Sequence, residues 1–143
     1  MRSCYFVCVW LLFVSCAFHL DSPVETVKFY YTSIEKKELD RANDCLRMYD
    51  AGGTRVKIMQ KDLRKEWRDY RIKKVIFYDE EKVYKMKKRL KMGSDVYNYP
   101  ARGDVGIIVT ELYENNKSQD FWFLLRKFGD KWLIVESCGV GEP

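Results

Sequence analysis

A chain of 143 residues, 47% hydrophobic and 33% charged, has the size and balance of one globular domain. Its 26 Lys and Arg against 21 Asp and Glu leave a net charge of +5, and its one histidine is His19. With no histidine after that position, Ser-His-Asp, Cys-His and histidine-metal sites are excluded from the rest of the chain.

The first element is a leader. Arg2 is followed by an uncharged stretch from Cys4 to Phe18 that ends in small residues, and the chain turns polar from Asp21. A cationic start, an apolar core and small residues at its end have the form of a secretory signal. The expected division is a leader over 1–20 and one domain over 21–143, placed outside the cytoplasm. Three exits stay open. Ser15-Cys16-Ala17 suits signal peptidase and would release a soluble chain from Phe18. Phe13-Val14-Ser15-Cys16 resembles a lipobox, which would make Cys16 a lipidated first residue. Left uncleaved, the 17 residues from Cys4 to Leu20 sit at the lower limit for a spanning helix.

Next comes a helix start. Ser22 caps, Pro23 takes the first helical position and Glu25 completes the spacing of a capping box. Val24, Val27, Tyr30, Tyr31 and Ile34 then recur at helical spacing, predicting a helix to about Lys36. Leu39, Ala42, Cys45, Leu46 and Tyr49 predict a second helix that ends before Gly52-Gly53, so the two make a helical hairpin. Residues 60–70 predict a short helix with Leu63, Trp67 and Tyr70 inward.

From here strands dominate. Ile72 to Tyr78 is rich in β-formers, and Asp79 can cap a helix whose acidic first turn and later lysines suit the helix dipole, with Val83, Met86 and Leu90 inward. Val105 to Glu114 reads as a central strand, and 119–128 with 131–138 as a hairpin around Gly129-Asp130. Pairing Phe128 with Lys131 sets Leu125 opposite Ile134, Phe121 opposite Cys138, Leu124 opposite Val135 and Trp122 opposite Ser137. One face then carries Phe121, Phe123, Leu125, Trp132 and Ile134. The other carries Trp122, Leu124, Phe128, Leu133 and Val135. A single helical layer covers one face, so the second is expected to meet other strands, a protein partner or a membrane surface, as a symmetric homodimer or with a heterologous partner.

Charge and cysteines add two expectations. Residues 55–91 hold fifteen Lys and Arg against six Asp and Glu, a stripe suited to an anionic membrane or cell-wall polymer or to plain solvation. Export disfavours nucleic acid as its partner. Beyond the leader only Cys45 and Cys138 remain. A bridge between them would be worth roughly 4–5 kcal/mol in the chain-entropy picture, and the alternative is two small buried hydrophobes.

The pattern S-P-x-E-T-V-x-x-F-Y over Ser22 to Tyr31, the charged link and second helix from Lys36 to Leu46, and K-W-L-I-V-E from Lys131 to Glu136 resemble the nuclear transport factor 2-like superfamily, also called SnoaL-like or ketosteroid-isomerase-like. The leader and the terminal G-V-G-E-P are similar to exported Firmicute lipoprotein-type domains of unknown function, such as the group numbered 4829. The middle of the chain matches in element order alone, and Arg55 to Lys91 departs in being more basic and more helical. The resemblance implies an α+β fold, a cystatin-like cone with the helical hairpin packed in a curved antiparallel sheet, an apolar pocket and often a dimer through the outer sheet face.

Members resembling this chain in fold include isomerases with an Asp base beside a Tyr donor. Tyr30, Tyr31, Tyr113 and Asp104 are of the right types, and no motif selects them. Gly139-Val140-Gly141 has no following helix and is no dinucleotide loop. Asp79-Glu80-Glu81 cannot converge on one ion as a calcium loop does. No cofactor or metal is expected. The expectation is a binding or interaction domain without catalytic activity, able to take a small apolar ligand, with Tyr30, Tyr31, Trp67, Trp122 and Trp132 as pocket or interface candidates; Tyr70 is a further aromatic of interest. An isomerase-type enzyme is the alternative.

Overall fold

A computed structural model describes residues 20–60, 67–90 and 99–140. Residues 1–19, with Cys16 and its exits, lie outside the described residues, as do Leu63 and the Leu90 side chain, whereas Leu20, placed at the end of the leader, is described and buried. Among the described residues, no helix is long and apolar enough to cross a membrane.

Helix α1 spans Pro23–Glu35. Ser22 is extended and its Oγ accepts the Glu25 amide at 3.2 Å, as the spacing predicts. The Glu25 carboxylate takes Lys28 Nζ at 2.9 Å. Val27 and Tyr31 are buried on the inner stripe together with Thr26 and Ser33. Thr26 Oγ1 donates to the Trp132 carbonyl at 3.1 Å, which fastens the helix to the last strand. Ser22→Ala should cost about 1 kcal/mol by loss of the cap, read as a shift of the denaturant midpoint. An unchanged midpoint would show that the first turn does not depend on it.

Helix α2 is shorter than its periodicity predicts and covers only Leu39–Asp44. The following residues leave the helix because β-bonding competes for them. The Cys45 carbonyl accepts from the Ile134 amide at 2.8 Å, and the Arg47 amide donates to the Ile134 carbonyl at 2.8 Å. Tyr49, expected on that helix, instead bridges Arg55 around a tight loop in which Asp50 Oδ1 accepts the amides of Gly52 and Thr54.

The rest is strand β1 (Trp67–Phe77), helix α3 (Glu80–Leu90), and strands β2 (Val105–Tyr113), β3 (Ser118–Phe128) and β4 (Lys131–Val140). The four strands form one antiparallel sheet in the order β1-β2-β3-β4, and the fold is α+β. Residues 67–70 belong to β1 and not to the predicted short helix, because Trp67 and Tyr70 pair with Tyr113 and Glu111 across the ladder. Pairing, rather than local periodicity, decides the state of such a segment. Asp79 does cap α3, its Oδ1 accepting the Lys82 amide at 2.8 Å.

Helix α1 lies across the first sheet face, against β4 and β2. The core there holds Val27, Tyr31, Cys45, Leu46, Val105, Ile107, Val109, Phe123, Leu125 and Ile134. The β3–β4 hairpin begins in the predicted register, with Phe128 opposite Lys131 and Leu125 opposite Ile134, and Gly129 supplies the positive φ of the turn at 63°. Then β4 slips by one residue. Leu124 faces Glu136, Trp122 faces Cys138 and Phe121 faces Gly139, which leaves Val135 as the extra residue of a bulge.

That slip decides the cysteines. A shift of one residue exchanges the faces of the residues beyond it. Cys138 therefore joins Trp122 on the second face, whereas Cys45 is wholly buried on the first. Both thiols are free and no bridge joins them. Burial pushes the Cys45 thiol up to about 12 and raises that of Cys138 as well. Leu133, expected on the second face, packs against the first-face core, next to the bend that the bulge puts into β4.

The second face is not left bare. Tyr78, Trp122, Leu124 and Val135 are buried there, with Ile76, Ile108, Phe128 and Cys138 around them and Val83 and Met86 of α3 packed on top. Leu124 has no exposed surface at all, so it cannot be the contact residue of a dimer as the register argument expects. The insert between β1 and β2 supplies a second helical layer that the chain's first fifty residues do not announce.

Candidate functional site

The ladder register places Tyr70, Glu111 and Tyr113 on one sheet face, at the end where β1 and β2 meet the middle of α1. Tyr70 stands opposite Glu111, and Trp67 opposite Tyr113. Tyr31 reaches this group from the helix. Its hydroxyl donates to Glu111 Oε1 at 2.8 Å, and the Tyr113 hydroxyl donates to Glu111 Oε2 at 2.7 Å. One carboxylate thus ties a helix to two positions of one strand.

Aromatic rings surround the knot. Tyr31 stacks on Tyr70 with centroids 4.3 Å apart and planes 11° from parallel. Tyr30 meets Tyr31 edge-on at 5.4 Å, and Phe123 meets both tyrosines edge-on at 5.9 Å. Such geometries follow the ring quadrupole and add to plain burial. Tyr31 is only 2% exposed, while Tyr30, Tyr70, Glu111 and Tyr113 are half-buried and form a rim.

Burial, with the Glu111 charge second, drives the Tyr31 phenol far above its ordinary range. Tyr31 is therefore a permanent donor at physiological pH. Burial likewise raises Tyr70. Chemically the group is a carboxylate whose two oxygens each accept a charge-assisted bond from a phenol, in an aromatic setting.

Asp104 does not join it. The residue precedes β2, about 24 Å along the strand from Glu111 at ordinary strand rise. Its carboxylate is held in a fork by Arg126, with Nε to Oδ1 at 3.0 Å and Nη2 to Oδ2 at 2.8 Å, and Oδ2 also accepts the Ala101 amide at 2.8 Å. Arg126 Nη2 further donates to the Tyr99 carbonyl at 3.2 Å. The Asp104 side chain is 4% exposed, so the pair pins the turn before β2 to β3.

Of the five aromatic candidates, the structure brings Tyr30 and Tyr31 together on α1, and sets Trp67 opposite Tyr113 in the ladder. Trp122 lies on the other sheet face, its Nε1 donating to the Tyr78 hydroxyl at 3.2 Å. Trp132 packs at the edge of the first-face core, and its amide donates to the Leu20 carbonyl at 2.7 Å. Glu111 is the residue that sequence reasoning missed. The alternation Ile107, Val109, Glu111 would have revealed it, since that parity puts a charged side chain on a core-facing row.

Comparison with family models, with curated proteins and with solved structures returns no match. The geometry of the chain is therefore the ground for any functional statement. Among the described residues, no group of three or more His, Cys, Asp or Glu side chains is placed to hold a metal ion.

The basic stripe is partly compensated where its side chains are described. Lys82 pairs with Asp79, Lys85 with Glu81, and Lys73 with Asp120, which also accepts from Thr110 Oγ1, whereas Glu80 pairs with Arg102 outside the stripe. Exposed pairs of this kind contribute little stability each. Lys73 and Asp120 do link β1 to β3 across β2.

Proposed function

We propose that this chain is an exported, membrane-tethered or secreted binding domain of the nuclear transport factor 2-like kind, without catalytic activity. The observation that carries it is the rim of Tyr30, Tyr70 and Tyr113 around a carboxylate already engaged by two phenols. Half-exposed tyrosines present a rigid apolar ring and a polar edge at low entropic cost, which suits recognition of a small apolar ligand or a protein side chain. Asp104, the acid named for proton transfer, is committed to Arg126 instead.

The antiparallel sheet with helix α1 across one face, and α2 packed on α1, is compatible with the helix-in-curved-sheet form of that superfamily. Because Leu124 and Val135 are buried, self-association would use the exposed rim and edges of the domain and not the interior of the second face. The address rests on the leader. A full-length chain should fractionate with membranes or medium, and Cys16→Ala should abolish acyl labelling while leaving the fold intact if the lipid exit is used. A soluble cytoplasmic chain that keeps Met1 overturns the address. For the role, native mass spectrometry of the purified full chain should retain a small apolar molecule that Tyr70→Ala releases. A ligand-free wild-type chain with no partner bound at the rim argues against it.

An isomerase-type enzyme acting on an apolar carbonyl compound is the second candidate, favoured by the convergence of Tyr31 and Tyr113 on a carboxylate. It would give Glu111 the role first considered for Asp104. Solvent deuterium entering the position next to a ketone carbonyl, and lost in Glu111→Gln, would support it.

A further inference from the structure

We propose that the membrane-tethered chain stands with the β3–β4 hairpin end of its sheet held against anionic lipid headgroups, because the fold begins too close to Cys16 to leave a free tether. This rests on the membrane-tethered form of the function proposed above. The fixed point is Leu20. It is 4% exposed, belongs to the first-face core, and its carbonyl accepts the Trp132 amide at 2.7 Å. Thr26 Oγ1 donates to the Trp132 carbonyl at 3.1 Å, so Leu20 and Thr26 hold the start of β4 by both polar groups of one residue.

Only Ala17, Phe18 and His19 separate Cys16 from Leu20. Fully extended, that link reaches about 14 Å. Acyl chains on Cys16 would therefore keep Leu20, and the Lys131-Trp132 start of β4 bonded to it, within about 14 Å of the headgroups. An uncleaved leader brings them closer still. Leu20 cannot lie in the bilayer and in the first-face core together, which leaves about 16 residues from Cys4 to His19 to span; as a helix these cover about 24 Å of a hydrocarbon core about 30 Å thick. The other end of the sheet is far away. At ordinary strand rise, β3 puts its Ser118 end about 33 Å from Phe128.

The end so held is basic. Lys127 and Lys131 are exposed beside the turn at Gly129-Asp130, and the exposed Arg47 sets its guanidinium 4.1 Å from the centre of the Phe128 ring. These three cations stand with Asp130 of the turn and Asp21 beside Leu20, and none belongs to the 55–91 stripe. A link of three residues brings them near the distance, about 8–10 Å, over which a charged surface is felt at physiological salt.

The test uses the full chain with its leader in a bacterial host whose membrane contains phosphatidylglycerol. Lys131→p-benzoylphenylalanine is compared on photolysis with Lys117→p-benzoylphenylalanine at the opposite end, both positions being exposed. Lipid adducts, read by peptide mass, should be about tenfold more abundant at position 131, with phosphatidylglycerol enriched about twofold over its share of the membrane. Ten Gly-Ser residues inserted between Phe18 and His19 add about 17 Å of mean reach and should lower the yield at 131 about fivefold. In a membrane-bound chain, equal yields at the two positions, adducts without phosphatidylglycerol enrichment, or a yield indifferent to the insertion overturn the inference and leave the tether standing. A chain found only in the medium overturns the tethered reading and the inference with it.

Discussion

Trp122→Ala is expected to remove about 3–5 kcal/mol of unfolding free energy, the usual cost of deleting a large aromatic from a packed interior. The indole is 4% exposed, and its Nε1 donates to the Tyr78 hydroxyl at 3.2 Å. Gly106 lies directly beneath. A Cβ built there would come within 2.8 Å of Trp122 Nε1 and 2.9 Å of Tyr78 Cε2, and both rings are buried with little room to yield. Gly106→Ala should therefore cost about 1–3 kcal/mol by overpacking, although it adds only one carbon. Urea melts followed by far-ultraviolet dichroism would measure both. Losses under about 1 kcal/mol for the two together would mean that the second face is not packed as described.

Tyr31→Ala is the second large effect, again about 3–5 kcal/mol, because it empties the centre of the first-face aromatic cluster. Tyr31→Phe separates ring from hydroxyl. Loss of one charge-assisted bond to Glu111 should cost about 1.5–3 kcal/mol while the stack on Tyr70 survives. The same pair predicts a pH dependence. The folded-state phenol titrates above its unfolded value of about 10, so its protonated form is favoured by folding. The associated stability is present below pH ~10 and is lost as the pH rises beyond it. Tyr31→Phe should flatten that alkaline decline, with the remainder due to Tyr70, Tyr78 and the two thiols Cys45 and Cys138, all of which burial also raises. An unchanged alkaline slope in Tyr31→Phe would show that the hydroxyl is not buried against Glu111.

Local chemistry made much of the fold legible before any contact was known. Ser22-Pro23 with Glu25 three residues after the cap marks a helix start because the cap, the preset proline φ and the first orphan amides all lie within one turn. Asp79 ahead of two glutamates marks the start of α3 for the same reason. Gly129-Asp130 sets the hairpin that begins with Phe128 opposite Lys131. Each of these features is decided by residues within reach of their own backbone.

Tertiary structure decided the rest, wherever partners far apart in the chain compete for the same backbone or side chain. Helix α2 stops at Asp44 because Cys45 and Arg47 find hydrogen bonds on Ile134, a strand residue that helical periodicity cannot see. Residues 67–70 become strand because β2 offers a ladder. The extra residue Val135 in β4 sends Cys138 to the face opposite Cys45, and no local rule predicts where a twisted sheet will bulge. The candidate site has the same origin. Tyr31 was legible as an inward helix residue, but its chemistry depends on Glu111, 80 positions away, and a carboxylate gains its two phenol donors only when the helix is laid across the strand that carries it.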